Sequence, residues 1–248
     1  KEDYKYGIFD LNFWKEKKSL NSIIPKADYV FPISTEIEKY LSKKNANCMT
    51  VPIMMDVEQV AYKESGDNQI RRFIYTGNGK MKDRIDSAIL ALKELSSEEI
   101  CKLEFHIKGV TEQYVRNLLV DDPKKYNVII HGWMKYAELQ ELYTHMDFIM
   151  IPRQKSQMTI SNFPSKVPEA LSFGIIPVVS DVGDYTKYYL QDGVNSIIFE
   201  GCEVNQCLTA VRKCLAIDQS VLKQMKKAAR ECAVGTQSGK NSKYNRRA

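Results

Sequence analysis

The run FPSKVPEALSFGIIPVVS, residues 163–180, passes from a polar loop through KVPEALSFG, a helix stopped by Gly174, into IIPVVS, an apolar strand. The helix is predicted to start near Lys166, with Ser165 as its N-cap. Glu169 falls in or just after the first turn. Its carboxylate either stabilises the positive end of the helix, worth about 0.3–1 kcal/mol, or serves as an acceptor pair for the two hydroxyls of a sugar diol.

On either side of this run, short β-branched or aromatic stretches alternate with amphipathic ones, the pattern of a parallel sheet covered by helices. Downstream, NSIIFE is a strand and VNQCLTAVRKCLAI a helix. Upstream, RRFIYTG, LEFHIKG, NVIIHGW and DFIMIP read as strands. DRIDSAILALKEL, with apolar residues at 85, 88, 89, 92 and 95, EQYVRNLL and YAELQELYTHM read as helices. Near the start, YGIFDL and DYVFPIS read as strands around a helical stretch from about Asn12 to Lys26. TEIEKYLSKK follows as a helix opened by Ser34 or Thr35, and CMTVPIM as a strand. DVEQVAYKESGDNQI, residues 56–70, lacks a sustained period and reads as a connector. No period of about 20–50 residues recurs, which excludes a solenoid. The fold class is α/β, a Rossmann-like parallel sheet flanked by helices, and such sheets bind ligands beyond the carboxyl ends of their strands. TGNGKMKDR, GVTEQ, HGWMKY, PRQKSQMTISNFPS and SDVGD then share one rim.

The 248 residues, 44% hydrophobic and 27% charged, are enough for a sizeable core. No apolar run reaches the roughly 20 residues of a membrane span, and KEDYKYGIFD is not a signal peptide, so a cytoplasmic protein is expected. Of the net charge of +5, Lys240, Lys243, Arg246 and Arg247 supply four, so the excess belongs to the tail and not to a nucleic-acid face. A contact of that tail with acidic lipid headgroups at the inner face of the membrane is the remaining reading of the charge. Cys48, Cys101, Cys202, Cys207, Cys214 and Cys232 form no CxxC pair, so no metal is expected, and Cys207 and Cys214 read as core thiols. His106, His131 and His145 accompany no nucleophile pattern and read as packing residues.

The loop Pro152–Ser165 is the longest on the rim and carries Arg153 and Lys155. It feeds a helix start whose amides, with Lys166, suit a phosphate. HGWMKYAELQELYTHMDFIMIPRQ followed by SNFPSKVPEALSFGIIPVVSDVGDYTKYYLQDGVNSIIF resembles the donor-binding domain of GT-B glycosyltransferases of the large family-four type, the glycosyl transferases of group 1. YTGNGKMKDRIDSAILAL and FHIKG resemble that domain's first two strands, and ADYVFPISTEIEKYL with VPIMMDVEQV the end of the preceding domain and the linker. The resemblance covers roughly residues 5–216. It implies that 1–56 are the remnant of an acceptor-side α/β domain, mostly missing here. Residues 57–70 would be a linker, 71–232 the nucleotide-sugar donor-binding domain and 233–248 a polar basic tail.

The resemblance implies a retaining, metal-independent transfer of a hexose from a nucleoside-diphosphate sugar to a saccharide or lipid-linked acceptor, in bacterial polysaccharide biosynthesis. The diphosphate sugar is the donor substrate and no cofactor is implied. The family's acidic motif is two glutamates with seven residues between them. Glu169 matches the second, which binds the ribose, but Ser161 stands where the first would face the sugar. Where the family commonly places an arginine after the glycine and a lysine further on, Gly77 is followed by Asn78, and Asp83 holds the lysine's place. Lys80, Lys82 and Arg84 flank that turn, so Lys82, Arg84 and Lys166 are the catalytic candidates that would meet charge developing on the diphosphate. Their alternative is a solvated loop. Asn162 and Phe163 match the phosphate loop. Gly132, Trp133 and Met134 match the segment that holds the base, with a buried Trp133 as the packing alternative. Two other functions stand beside transfer: a non-catalytic nucleotide-sugar-binding module, which Ser161 favours, and a nucleotide-sugar epimerase or phosphorylase.

Overall fold

In this computed structural model, residues 11–60, 62, 69–79 and 82–237 are described. Most of the stretch YGIFDL, Lys80 and the basic residues of the tail lie outside them. The chain divides into two units, Lys1–Ile53 with Ser161–Phe163, and Met54–Ile160 with Pro164–Ala248.

In the first unit, α1 (Leu11–Ser22) and a 3-10 turn, Ile24–Lys26, occupy the expected helical stretch. Helix α2 (Thr35–Leu41) is opened by Ser34, whose hydroxyl accepts the Ile37 N–H at 3.3 Å. DYVFPIS and CMTVPIM, expected as strands, are reduced to one parallel bridge between Val30 and Cys48. Tyr29, Phe31 and Met49 are exposed there, so among the described residues no layer covers these runs in the way that makes buried strands.

The second unit is a six-stranded, wholly parallel sheet in the order β3-β2-β1-β4-β5-β6. Its strands are β1 (Arg71–Thr76), β2 (Leu103–Lys108), β3 (Val128–His131), β4 (Phe148–Ile151), β5 (Ile176–Ser180) and β6 (Ile197–Phe199). Both β4 and β5 are buried along their whole length, as central parallel strands with covered faces should be. Pro177 is tolerated inside β5 because the Ile176 N–H bonds Asp147 on the β4 side. The next residue therefore turns toward β6, whose pairing begins only at Val178. Phe73 of β1 lies between its register partners Phe105 and Phe148, with ring centroids 5.9 and 4.9 Å away.

The helices between strands are α3 (Ile85–Ala91), α4 (Ser97–Ile100), α5 (Glu112–Leu119), α6 (Tyr136–Tyr143), α7 (Gln157–Ser161), α8 (Lys166–Ser172) and α9 (Asp184–Tyr188). Two more, α10 (Val204–Leu215) and α11 (Gln219–Gln237), follow the last strand. Ile85, Ala88, Ile89 and Leu92 are fully buried, so the predicted stripe is the core face of α3 and of the 3-10 turn, Leu92–Glu94, that follows it. Cys207 and Cys214 are buried on the same face of α10, as core thiols, and burial pushes the Cys207 thiol up to about 12.

Three boundaries differ from the sequence reading. The units part between Ile53 and Met54 and not at residue 56. Val57 and Val60, placed in the expected linker, are buried, and their carbonyls accept hydrogen bonds from Arg230 of α11 at 2.9 and 3.3 Å. Helix α11 continues to Gln237, five residues into the expected tail, because Leu222, Met225, Ala229 and Ala233 give it a buried stripe.

Candidate functional site

The sheet order reverses between β1 and β4, which pair with each other while their following strands run outward on opposite sides. A crevice at the carboxyl ends of such a pair is the general ligand site of open α/β sheets. The loops after β1 and β4 and the start of α8 meet there.

After β1 the chain turns at Gly77, whose N–H donates to Lys108 O at 2.9 Å at the end of β2. The approach is close. A Cβ on Gly109, at φ +93°, would lie 2.7 Å from the Gly77 carbonyl oxygen. Asp83, at the end of this loop, is 7% exposed and takes Arg153 Nε on Oδ1 at 2.8 Å. Its Oδ2 is ion-paired with Lys166 Nζ and accepts the Tyr75 hydroxyl at 3.2 Å. Burial alone would raise the Asp83 carboxyl, but Lys166 and Arg153 hold it below the usual carboxylate range. Burial lowers Lys166 from its ordinary value, and Asp83 opposes that.

Glu169 sits one turn into α8, half-buried, its N–H bonded to Ser165 O at 3.2 Å. Ser165 precedes the helix as expected but makes no side-chain cap. Its backbone is already helical, and the first turn closes from Val167 N–H to Pro164 O at 3.0 Å. The Glu169 carboxylate accepts the Tyr136 hydroxyl on Oε1 at 3.2 Å and the Tyr143 hydroxyl on Oε2 at 3.4 Å. Burial raises the Glu169 carboxyl above the usual glutamate range, against the two phenols. Tyr143 is itself buried, its oxygen 3.1 Å from Thr76 Oγ1 at the end of β1. Both charges of α8 thus face the end of β1, Lys166 through Asp83 and Glu169 through Tyr143.

The other predicted residues are placed as follows. Lys82 is half-buried in the turn before α3. The Arg84 guanidinium has Asp86 at 3.0 Å and Glu203 at 3.5 Å as partners, not the Lys166 group. Asn78 is exposed on the loop after β1. Ser161, Asn162 and Phe163 group with the first unit, where the Ser34 hydroxyl donates to Ser161 O at 2.7 Å. Trp133 is 85% exposed beyond β3, between exposed Gly132 and half-buried Met134, so the packing alternative for it is wrong. His106 and His131 pack as stacked rings with Nδ1 and Nε2 2.9 Å apart. The sequence reading missed Tyr136 and Tyr143. Their spacing of two helical turns puts both on one face of α6, a signal that was present.

The family model of the glycosyl transferases group 1 matches residues 61–232, more than half of the chain. No curated protein is matched. Three solved structures share the fold, each with a TM-score of 0.67. A glycosyltransferase from Rickettsia africae is 14% identical, with 93% of this chain and 63% of that one covered. Sucrose-phosphate synthase from Thermosynechococcus elongatus is 16% identical, covered at 94% and 60%. The pneumococcal O-GlcNAc transferase GtfA, in complex with UDP and GlcNAc, is 16% identical, covered at 89% and 44%. This chain spans less than two thirds of each. The parallel sheet, its Rossmann order and the family match agree, and the chain belongs to the glycosyl transferases group 1.

Proposed function

We propose that the chain is the donor-binding half of a glycosyltransferase that moves a hexose from a nucleoside-diphosphate sugar to a saccharide or lipid-linked acceptor. Transfer retains the anomeric configuration and needs no metal. The observation that carries the reading is the Glu169 carboxylate, braced on one oxygen by Tyr136 and on the other by Tyr143. Each oxygen keeps a lone pair for one hydroxyl of a ribose diol. Lys166, one ammonium hydrogen on Asp83, directs others toward the diphosphate and meets the charge that develops as the sugar leaves. Lys82 assists from the turn after β1, and Arg84 does so on release from Asp86 and Glu203. Gly77 and Asn78 line the diphosphate loop. Gly132, the open indole of Trp133 and Met134 hold the base, while Asn162 and Phe163 are assigned to the phosphates by the family resemblance alone. The pneumococcal structure with UDP and GlcNAc supports such a ligand by analogy of fold. The setting is polysaccharide biosynthesis in a bacterial cytoplasm, with contact at the inner face of the membrane. No helix among the described residues is long and apolar enough to cross one.

Ser161 on the sugar side favours a second reading, a nucleotide-sugar-binding module without turnover, since a hydroxyl carries no charge to offer the reacting sugar. Calorimetric titration with UDP, GDP and ADP tests the shared part. Binding of at least one below millimolar concentration is expected, and none near millimolar sinks both readings. Transfer of labelled sugar by the natural full-length polypeptide separates them, because tight donor binding with no sugar released leaves only the module.

A further inference from the structure

Two cations share Asp83, and they are not equivalent. The Arg153 side chain is 4% exposed, with Nε on Asp83 Oδ1, and the Arg153 backbone N–H is bonded to Ser180 Oγ at 2.8 Å. It is sealed within the protein. The Lys166 side chain is 16% exposed. Its ammonium lies 4.4 Å from the centroid of the Tyr75 ring, and a Cβ on Gly77 would come within 2.9 Å of it. The bare backbone of Gly77 thus lets Lys166 stand at the mouth of the β1–β4 crevice, where it is the open member of the pair. Its opening is already occupied by an anion, since Asp83 Oδ2 holds Nζ directly.

Resting on the donor-binding reading, we propose that Asp83 is an internal anion that competes with the donor's diphosphate for Lys166 and so sets the affinity of the site. Carboxylate and phosphate oxygens accept the same ammonium hydrogens through the same charge-assisted bonds. The carboxylate also reduces two positive charges to one, so an arriving diphosphate meets a weaker attraction and a fixed like charge beside its oxygens. Asp83 has a second, opposite effect in the empty site. It places an anion between the buried Arg153 and the half-buried Lys166 and offsets their mutual repulsion, so the fold needs it when no phosphate is present. Stability of the empty protein and affinity for the diphosphate are therefore traded through one carboxylate.

The test is titration of the wild-type chain and Asp83→Asn with uridine, UMP and UDP, with the adenine and guanine series in parallel. Asp83→Asn is expected to bind the diphosphate at least about tenfold more tightly, about 1.4 kcal/mol, the monophosphate with a smaller gain, and the nucleoside unchanged. Its melting temperature without ligand falls, and the rise on adding diphosphate is larger than in the wild type. Weaker or equal diphosphate binding, or an equal gain for the nucleoside, overturns the proposal. Should Asp83→Asn not fold, Asp83→Asn with Arg153→Gln restores the net charge while still freeing Lys166. The same ordering is expected from that pair, and no gain overturns the proposal. A wild-type chain that binds none of these compounds overturns it together with the donor-binding reading. A wild type that binds, beside variants that show no gain, removes this proposal alone.

Discussion

The hydroxyl of Tyr143 bridges Thr76 at the end of β1 and Glu169 on α8, 3.1 Å from Thr76 Oγ1 and 3.4 Å from Glu169 Oε2. With Tyr136 on Oε1, it leaves the carboxylate little freedom to turn. Glu169→Gln is expected to weaken binding of the nucleoside diphosphate by about 1.5–3 kcal/mol, the usual worth of hydrogen bonds to a charged group. The loss should nearly vanish for a 2′,3′-dideoxy analogue measured in the same calorimetric series. An equal loss for both nucleotides would show that Glu169 does not hold the ribose. Tyr136→Phe, which removes one brace, should cost about 0.5–1.5 kcal/mol of the same affinity.

Acid should act on stability and on binding in opposite directions. Burial raises the folded-state pKa of Glu169 above its unfolded value, so the folded chain holds this proton more tightly. The stability it contributes is present at low pH and is lost as pH rises through the raised value. The proposed ribose contact needs the ionised form, so affinity falls as pH drops from neutral into the acid range and through that same raised value. Melting temperatures and dissociation constants across this range, for wild type and Glu169→Gln, check both signs. The variant should flatten both curves, and a wild-type affinity that does not fall with acid would count against the ionised clamp.

At the opposite end of the sheet, Lys226 of α11 reaches Met146 O at 2.7 Å and Asp147 Oδ1 at 3.0 Å, with its side chain 5% exposed. Asp147 Oδ2 in turn accepts the Arg72 N–H at 3.0 Å. Lys226→Met should lower stability by about 3–5 kcal/mol in denaturant melts, because the buried Asp147 carboxylate loses the Lys226 ammonium. Asp147→Asn in the same background should recover part of that loss, whereas a further drop would show that the charge was not the cause.

Gly109→Ala forces a Cβ to within 2.7 Å of the Gly77 carbonyl oxygen at a φ of +93°. A loss of about 1–3 kcal/mol in stability is expected from the strain, with weaker diphosphate binding because Gly77 borders the Lys166 ammonium. Unchanged melting and unchanged binding together would mean that the β1 turn is looser than its contacts imply.

The elements that alternate along the second unit were legible because each carries its own local signal. Ile85, Ala88, Ile89 and Leu92 repeat at helical spacing, Gly174 ends α8, and the apolar runs of β4 and β5 have the length of buried strands. DYVFPIS and CMTVPIM carried the same signal and yielded one bridge, since strand propensity becomes a sheet only where neighbours cover it. Within the site, Glu169 and Lys166 stood out by position on one short helix. The role of Asp83 did not, because its partners lie 70 and 83 positions away in the chain and nothing near Asp83 announces them. Arg84, nearer in sequence, looked the better cation and is engaged by Asp86 and Glu203 instead.

The pairing of β1 with β4 has a consequence for how the chain assembles. Phe73 pairs with Phe105 on the next strand in the chain, but Phe148, its other partner, lies beyond β2, β3 and all their helices. Closing so long a stretch of chain is the slow kind of event in folding. The same closure brings Thr76 beside Tyr143 and Asp83 beside Arg153 and Lys166, so the crevice does not exist until β1 and β4 have paired. A nucleotide added during refolding would therefore act late, trapping the joined halves and slowing their separation, while leaving the early formation of each half untouched.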